Sequence, residues 1–237
     1  MRDRMRLLLD GRPLASYFPG NGMPIPFERR PAIPSTLAIP RQARSQKALE
    51  RFLEAGEALV ADNAFEAAGV AEIAKRADSS VGTFYRLIGD KDTLLRAVHD
   101  RFVEYARARI ATTLDPAKFV GEDLETVLTA FVQLMVDLYA EREGMIRALI
   151  VRSSADPSFR ERISALRNDI RMSIGGLVLP RAHEIKHPNP LEAFAFGVKV
   201  IVGVLNHATV VNSMEGEASA TMVRELTRIL VRYLEVK

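Results

Sequence analysis

Five polar side chains within one short stretch are of the types that bind phosphate groups and base edges of nucleic acids. They offer three hydroxyl groups and two cations, from Ser80, Thr83, Tyr85, Arg86 and Lys91. Hydroxyl and cationic donors hold phosphate oxygens, and those that face a groove can bond base edges. The spacing therefore indicates a nucleic-acid surface, provided that one structural element presents these side chains together.

Two short helices joined by a turn would present them in this way. The first has an apolar face at helical offsets of 0, 3, 4 and 7, formed by Val70, Ile73, Ala74 and Ala77. Turn and N-cap residues follow at Asp78, Ser79 and Ser80. A second helix should turn three side chains inward, those of Val81, Phe84 and Ile88, before Gly89 and Asp90 end it. The pattern predicts a helix-turn-helix, whose second helix enters the DNA major groove, although an ordinary helical hairpin would share it.

The stretch from Ala77 to Leu94 reads ADSSVGTFYRLIGDKDTL. It resembles the pattern A-G-V-S-x-G-T-L-Y-x-H-F-x-x-K-x-x-L around the recognition helix of TetR-family bacterial transcriptional repressors. Seven positions match in register: Ala77, Ser80, Gly82, Thr83, Tyr85, Lys91 and Leu94. The upstream V-x-x-I-A of the family is matched as well, by Val70, Ile73 and Ala74.

The resemblance implies an all-α protein with two domains. We expect a three-helix DNA-binding domain at residues 41–96, with its helix-turn-helix at about 69–88, and a larger helical domain for ligand binding and dimerisation at residues 97–237. Tyr85 and Lys91 would hold phosphates, whereas Thr83 and the backbone of residues 80–82 would approach base edges. The expected DNA contacts are Arg41, Arg44, Lys47, Ser80, Val81, Gly82, Thr83, Tyr85, Arg86 and Lys91. The three basic residues at the start of the first helix are equally well explained as a solvated helix end.

The motif departs from the family pattern at a few positions. Asp78 replaces the turn glycine, and Leu87 replaces a histidine that often touches phosphate. Ala68 and Gly69 occupy the positions where Ser or Thr usually caps the first helix of the motif. These departures leave a second hypothesis open, a helical ligand-sensing or scaffold protein whose degraded helix-turn-helix no longer binds DNA.

The composition is that of a folded chain without cysteine chemistry. Hydrophobic residues make up 48% of the 237 residues, which is enough for a substantial core. The lack of cysteine excludes disulfides, thiolate catalysis and cysteine-rich zinc sites. We find no run of about 18 apolar residues and therefore expect no membrane-spanning helix. We expect a protein of the bacterial cytoplasm that is associated with the nucleoid when it is bound to DNA. The net charge of +3 does not by itself indicate a nucleic-acid partner.

Residues 1–40 differ from the rest of the chain. They contain seven of the twelve prolines and show no sustained helical or strand period: Pro13, Pro19, Pro24, Pro26, Pro31, Pro34 and Pro40. Because proline removes backbone donors and fixes φ, we expect a flexible extension. It is a tail without a function or a basic arm that adds DNA contacts.

Helical periodicity extends over the remainder of the chain. Apolar residues repeat at three and four positions in residues 41–62, 90–113, 122–141, 145–152, 156–187, 193–205 and from 219 onwards. Gly175, Gly176 and Pro180 predict a break near the end of the helix that begins at residue 156. Asp90 and Asp156 are expected to cap the helices that begin at these residues. The helix from residue 90 belongs to both domains, so tilting it would move the recognition helix.

The last two helices contain more apolar surface than one subunit is expected to bury. We expect them to form a four-helix bundle with a second copy, as in the dimer interface known for the TetR family. Packing within one subunit is the alternative. A dimer would set two recognition helices about 34–36 Å apart on a palindromic operator. The expected interface residues are Phe194, Val198, Ile201, Leu205, Met222, Leu226, Ile229 and Tyr233.

The resemblance also implies that a small molecule binds the larger domain and releases the operator. The candidate pocket residues favour a mostly apolar effector with little charge, although such side chains at helical spacing are more often ordinary core. They are Phe102, Tyr105, Phe131, Met135, Met172 and His207.

No arrangement of catalytic or metal-binding residues is recognisable in the sequence. Phosphate-binding glycine loops are absent, and nothing assembles a nucleophile, a base and an orienting group. His183 and His187 are four residues apart, but no carboxylate completes a metal motif, and His207 is expected in the core. We therefore expect no enzymatic activity, no cofactor and no metal.

Overall fold

The protein is built from α-helices. The structure, a computed structural model, describes residues 37, 40, 42–211 and 217–237, so Arg41 and almost all of the expected extension at residues 1–40 lie outside the described residues. The described ranges hold no strand, only an isolated bridge between Ile185 and Val236, which confirms the predicted all-α class. Their helices are α1 Ala43–Ala61, α2 Val70–Arg76, α3 Val81–Leu87, α4 Lys91–Thr113, α5 Leu124–Glu141, α6 Glu143–Ala155, α7 Pro157–Val178, α8 Pro190–Val210 and α9 Glu217–Leu234.

Side-chain caps determine where several helices begin. An oxygen of the capping residue accepts a backbone N–H from the first turn, which satisfies a donor that the helix itself leaves unpaired. Hydrogen bonds donated by Thr93 and Thr126 lower the pKa of Asp90 and Asp123, since they stabilise the carboxylate form. The predicted caps at Asp90 and Asp156 are confirmed. The capping residues are Ser80 for α3, Asp90 for α4, Asp123 for α5 and Asp156 for α7.

The boundaries of α7 and α8 differ from those expected. The predicted break after α7 is confirmed, because a 3₁₀ turn at Leu179–Glu184 follows it and contains Pro180. α8 extends over Pro190–Val210, well beyond the expected residues 193–205. By length and composition α8 could cross a membrane, with a mean hydropathy of 1.6. Core helices pass the same test of length and composition, and 39% of that apolar window is buried against the rest of the chain.

One continuous hydrophobic core extends from α1 to α9. α5 lies at its centre, where Leu128 and Phe131 are fully buried. α8 and α9 approach closely at Gly197, since a Cβ there would lie 2.4 Å from Leu230 Cδ1. Gly203, further along α8, has open space around it.

α4 connects the three N-terminal helices to the larger helical part of the chain. It packs on α1 at Gly56, where a Cβ would lie 3.0 Å from Val98 Cγ2. Two ion pairs join it to α7. Arg162 pairs with Asp100, and Arg107 Nη2 lies 2.9 Å from Asp169 Oδ2, so the partners are seven residues apart on each helix with the charges exchanged. These ion pairs hold α4 in a fixed register along α7. The helix-turn-helix directly precedes the first turn of α4.

Candidate nucleic-acid interface and ligand domain

An aromatic core holds the three N-terminal helices together. The rings of Phe52 in α1 and Phe84 in α3 meet edge to face, with centroids 5.4 Å apart. Both side chains, and Ile73 of α2, are fully buried. Such aromatic pairs add about 0.5–1.5 kcal/mol to the free energy gained from burial alone. α3 is thereby held on α1 and α2 by one face, and its opposite face is turned to solvent.

The turn between α2 and α3 contains a residue in a left-handed conformation. Asp78 has a φ of +44°, in the region that favours glycine, which is the residue of the family pattern at this position. Aspartate tolerates this conformation better than most residues. Arg51 of α1 also donates from Nη1 to Asp78 Oδ2 at 2.9 Å. The departure at Asp78 therefore leaves the turn geometry in place.

The first turn of α3 presents an apolar and a polar surface side by side. Ser80 Oγ accepts the Thr83 backbone N–H at 3.1 Å and lies 2.9 Å from Thr83 Oγ1. Val81 is 39% exposed, so the expectation that it turns inward was wrong. The helical period places Val81 on the same side as Phe84, but the neighbouring elements do not cover this first helical residue. Gly82 is exposed beside it.

Four further expected DNA contacts are exposed. Tyr85 is 55% exposed, with its ring edge against Phe84. Arg86 of α3 and two cations at the start of α1, Arg44 and Lys47, are exposed as well. Arg44, Lys47 and Arg86 have no ion pair among the described residues, so their charges are available to a polyanion.

Lys91 differs from these cations because the protein itself engages its ammonium group. Nζ donates to the backbone oxygen of Glu66 at 3.1 Å and lies 5.2 Å from the centroid of the Phe65 ring. This contact ties the first turn of α4 to the segment that precedes α2. A phosphate at this position would add to an existing contact rather than meet a free side chain.

α6 connects the larger domain to the helix-turn-helix domain at two points. Near its start, a Cβ at Gly144 would lie 2.6 Å from the backbone oxygen of Ala61, so α6 and the end of α1 are in direct backbone contact. Near its end, Arg152 lies 3.5 Å from Glu66 Oε1 and 2.5 Å from Asp92 Oδ1. A displacement of α6 would therefore act on both flanks of the motif.

The expected effector residues differ in burial. Tyr105 is half-buried and donates to the Glu141 carboxylate, a hydrogen bond that raises the pKa of Tyr105. Met172 is half-buried. His207 is exposed, so the expectation of a core histidine was wrong, because α8 turns this position outward. The remaining three belong to the hydrophobic core: Phe102, Phe131 and Met135.

The buried histidine is instead His99 of α4, to which sequence reasoning assigned no role. It is 0% exposed, and neither ring nitrogen has a hydrogen-bond partner among the described residues. Its ring stacks on Phe159 and Phe102, at centroid distances of 5.6 Å and 6.5 Å. Burial, and to a smaller extent the positive charge of Arg162, lower the pKa of His99 to about 4. Its place three residues before Phe102 and four after Leu95, on the apolar face of α4, was the signal that could have identified it.

A surface cavity of about 460 Å³ lies where the start of α8 meets the end of α9. Its walls include Phe196 and Tyr233, whose ring centroids are 6.0 Å apart, and the side chain of Lys199. It contains none of the six expected effector residues. Across the part of the chain that the structure describes, no three histidine or acidic side chains are grouped to hold a metal ion.

The eight residues expected at a dimer interface differ in their exposure on the subunit surface. Four of the eight residues are buried inside the subunit: Phe194, Ile201, Leu205 and Leu226. Val198 and Met222 are half-buried, whereas Ile229 and Tyr233 are exposed. Because α8 is apolar on nearly all sides, its sequence does not distinguish the inner face from the outer one. The exposed apolar stripe consists of Phe196, Val200, Val204, Ile229 and Tyr233.

Comparison with known proteins agrees with this arrangement. Residues 52–98 match the profile of bacterial regulatory proteins of the tetR family, and residues 123–234 match that of the tetracyclin repressor-like C-terminal domain. The HTH-type transcriptional regulator UidR of Escherichia coli (strain K12) is 27% identical over 143 residues, which span 60% of this chain and 68% of UidR.

Solved structures share the fold. A transcriptional regulator from Rhodococcus sp. Rha1 superposes with a TM-score of 0.63 at 20% identity, covering 80% of this chain and 98% of the other. The regulator FadR of Bacillus subtilis, solved in complex with stearoyl-CoA, superposes with a TM-score of 0.53 at 16% identity, covering 77% and 97%. With both regions matched in sequence and the fold shared, this chain belongs to the TetR family of bacterial transcriptional regulators.

Proposed function

We propose that this chain is a repressor that binds a palindromic operator as a homodimer and leaves it when a small, mostly apolar effector binds. The observation that supports this most directly is the exposed face of α3 together with the exposed cations at the start of α1. We propose the domain boundary at residues 96–97, inside α4, so that the DNA-binding and effector-binding parts share one helix. The protein would act in the bacterial cytoplasm, without a cofactor and without enzymatic activity.

Phosphate contacts would supply most of the affinity for DNA. Arg44, Lys47 and Arg86 are exposed without ion pairs among the described residues, so binding DNA costs no internal ion pair at these positions. The Tyr85 hydroxyl would add a neutral donor, and Lys91 would bind phosphate while it remains attached to the Glu66 oxygen. Each phosphate contact contributes about 0.9 to the salt slope of the binding constant.

The exposed stripe on α8 and α9 supports a homodimer. Phe196 and Ile229 are more than half exposed, at 55% and 53%, which is unusual for large apolar side chains grouped on one face. Gly203 lies on the outer face of α8 with open space around it, so a second α8 could approach closely there. Two copies joined by this stripe would form a four-helix bundle, and the dimer would contain two recognition helices.

The effector would act through α4. The core between α4, α5 and α7 is apolar, and Phe102, Phe131 and Met135 would contact a hydrophobic ligand there once the helices part. Tyr105 and Met172 would lie at its edge. The structure of Bacillus subtilis FadR contains stearoyl-CoA, and a ligand with a comparable apolar portion suits this interior. A differential affinity of about 1–3 kcal/mol between the bound and released arrangements would be enough for regulation.

Footprinting on the DNA beside the protein's own coding region tests the repressor function. We expect a protected palindrome whose two halves are one helical turn apart, and a titration that yields two protomers per site. Compounds that abolish the footprint would identify the effector. If no salt-dependent, sequence-specific binding is found, the second hypothesis, a sensor or scaffold with an inactive motif, is supported instead.

Matched arginine variants make this test specific. Arg86→Ala should weaken operator binding and reduce the salt slope by about 1 per affected phosphate contact. Arg160→Ala removes an exposed arginine of α7, far along the chain from the motif, and should leave both quantities unchanged. Equal effects of the two variants would mean that overall charge, and not the α3 face, determines binding.

A further inference from the structure

We propose that Val81 recognises thymine in the operator by contact with its C5 methyl group in the major groove. The proposal rests on the repressor function above and names one chemical feature that the α3 face selects. The contact would be made once in each half-site, because a homodimer presents two copies of the same side chain.

Val81 is an apolar side chain that the hydrophobic core does not cover. It is the first residue of α3 and is 39% exposed, whereas Phe84 on the same helix is fully buried. An isopropyl group can neither donate to a phosphate nor accept from a base edge. Its two methyl groups gain free energy on the DNA only when they exclude water from another apolar group.

The hydroxyl groups next to Val81 already take part in hydrogen bonds within the protein. The hydroxyls of Ser80 and Thr83 lie 2.9 Å apart, and Ser80 Oγ also accepts the Thr83 backbone N–H. Gly82, the next residue, has no side chain, and a Cβ there would meet only Ser80 Oγ, at 3.9 Å. The valine therefore stands beside a bare stretch of backbone, over which a base pair can approach closely.

In the major groove of unmethylated DNA, only thymine offers an apolar group that the Val81 side chain can contact. The edges of guanine, adenine and cytosine present donors and acceptors, and thymine alone among the four bases presents a methyl group. A 5-methylcytosine presents the same group in methylated DNA. We assign the contact to thymine and use cytosine methylation as a separate arm of the test.

The test replaces thymine by uracil in the footprinted duplex, which removes the C5 methyl group and leaves every hydrogen-bonding edge intact. We expect wild-type affinity to fall about fourfold for each contacted half-site, because burial of one methyl-sized group is worth about 0.8 kcal/mol. Val81→Ala should bind the thymine and uracil duplexes with equal affinity. Val151→Ala makes the same substitution at a 63% exposed helical site in α6 and should retain the wild-type preference.

Two results would overturn the assignment to thymine. The first is equal wild-type binding of both duplexes; an effect of cytosine methylation would then assign the contact to 5-methylcytosine. The second is an unchanged thymine preference in Val81→Ala. Absence of sequence-specific binding to either duplex would instead reject the repressor function on which the proposal rests. Because alanine is a good helix former, Val81→Ala should fold normally, and its melting temperature verifies this.

Discussion

Acid should destabilise this protein through a single buried side chain, His99. Its imidazole is fully buried between aromatic rings with both nitrogens unpartnered, and burial lowers its pKa to about 4 from an ordinary value of 6.5. The unfolded chain therefore binds a proton at His99 in the range of pH 4 to 6.5, whereas the folded protein does not. Stability is complete above pH 6.5 and falls as the pH falls through this window.

The size of the effect follows from the two pKa values. A difference of about 2.5 pKa units corresponds to about 3 kcal/mol, at 1.36 kcal/mol per unit. Hydrogen bonds hold the pKa of the capping carboxylates Asp90 and Asp123 below their ordinary value of 3.8, so their contribution is lost only at lower pH. The window between pH 4.5 and 7 therefore isolates the histidine from the caps.

Urea unfolding at a series of pH values measures this loss, with the protomer concentration kept constant because dimerisation affects apparent stability. His99→Leu keeps an apolar side chain of similar size and should abolish most of the decrease between pH 7 and 4.5. His183→Leu removes an exposed histidine and should retain the wild-type decrease. A full decrease in His99→Leu, or none in the wild type, would refute the argument from burial.

Three further substitutions test the dimer, the contact between α1 and α6, and the turn of the motif. Gly203→Leu should yield monomers in light scattering, because the leucine fills the proposed crossing point of the two α8 helices. Gly176→Leu, at an equally open helical site in α7, should stay dimeric. Identical masses of the two variants would contradict the interface. Gly144→Ala should lower stability by about 1–3 kcal/mol in urea, since its Cβ would lie 2.6 Å from the Ala61 oxygen; wild-type stability would disprove that backbone contact. Asp78→Ala should cost about 1 kcal/mol because of the φ of +44°, and Asp78→Gly should not; calorimetry compares them.

Local sequence was sufficient for the helix-turn-helix and for most helix starts. Apolar residues at offsets of three and four, with a capping side chain before them, specify a helix without reference to distant residues. Ser80, Asp90 and Asp156 were expected caps, and each accepts the hydrogen bond that a cap requires. The family pattern and its matching register then led from two short helices to the TetR family.

The candidate DNA surface was predicted less completely. Arg44, Lys47, Tyr85 and Arg86 are exposed as the proposal needs. The hydrogen bond from Lys91 to the backbone oxygen of Glu66 joins residues 25 positions apart, and no local pattern indicates it. The exposure of Val81 depends on whether neighbouring helices pack over it, and the helical period of the sequence does not contain that information.

Sequence by itself determined that this chain is an all-helical member of the TetR family, because those signals lie within a few residues of one another. Only the tertiary structure decided which apolar side chains face the core. α8 is apolar on nearly all sides, so Phe194 and Phe196 are equivalent in sequence, yet one is 2% and the other 55% exposed. His99 likewise became a buried, neutral histidine only because α7 brings Phe159 onto it. Burial is a property of the elements that meet, and residues far apart in the chain determine it.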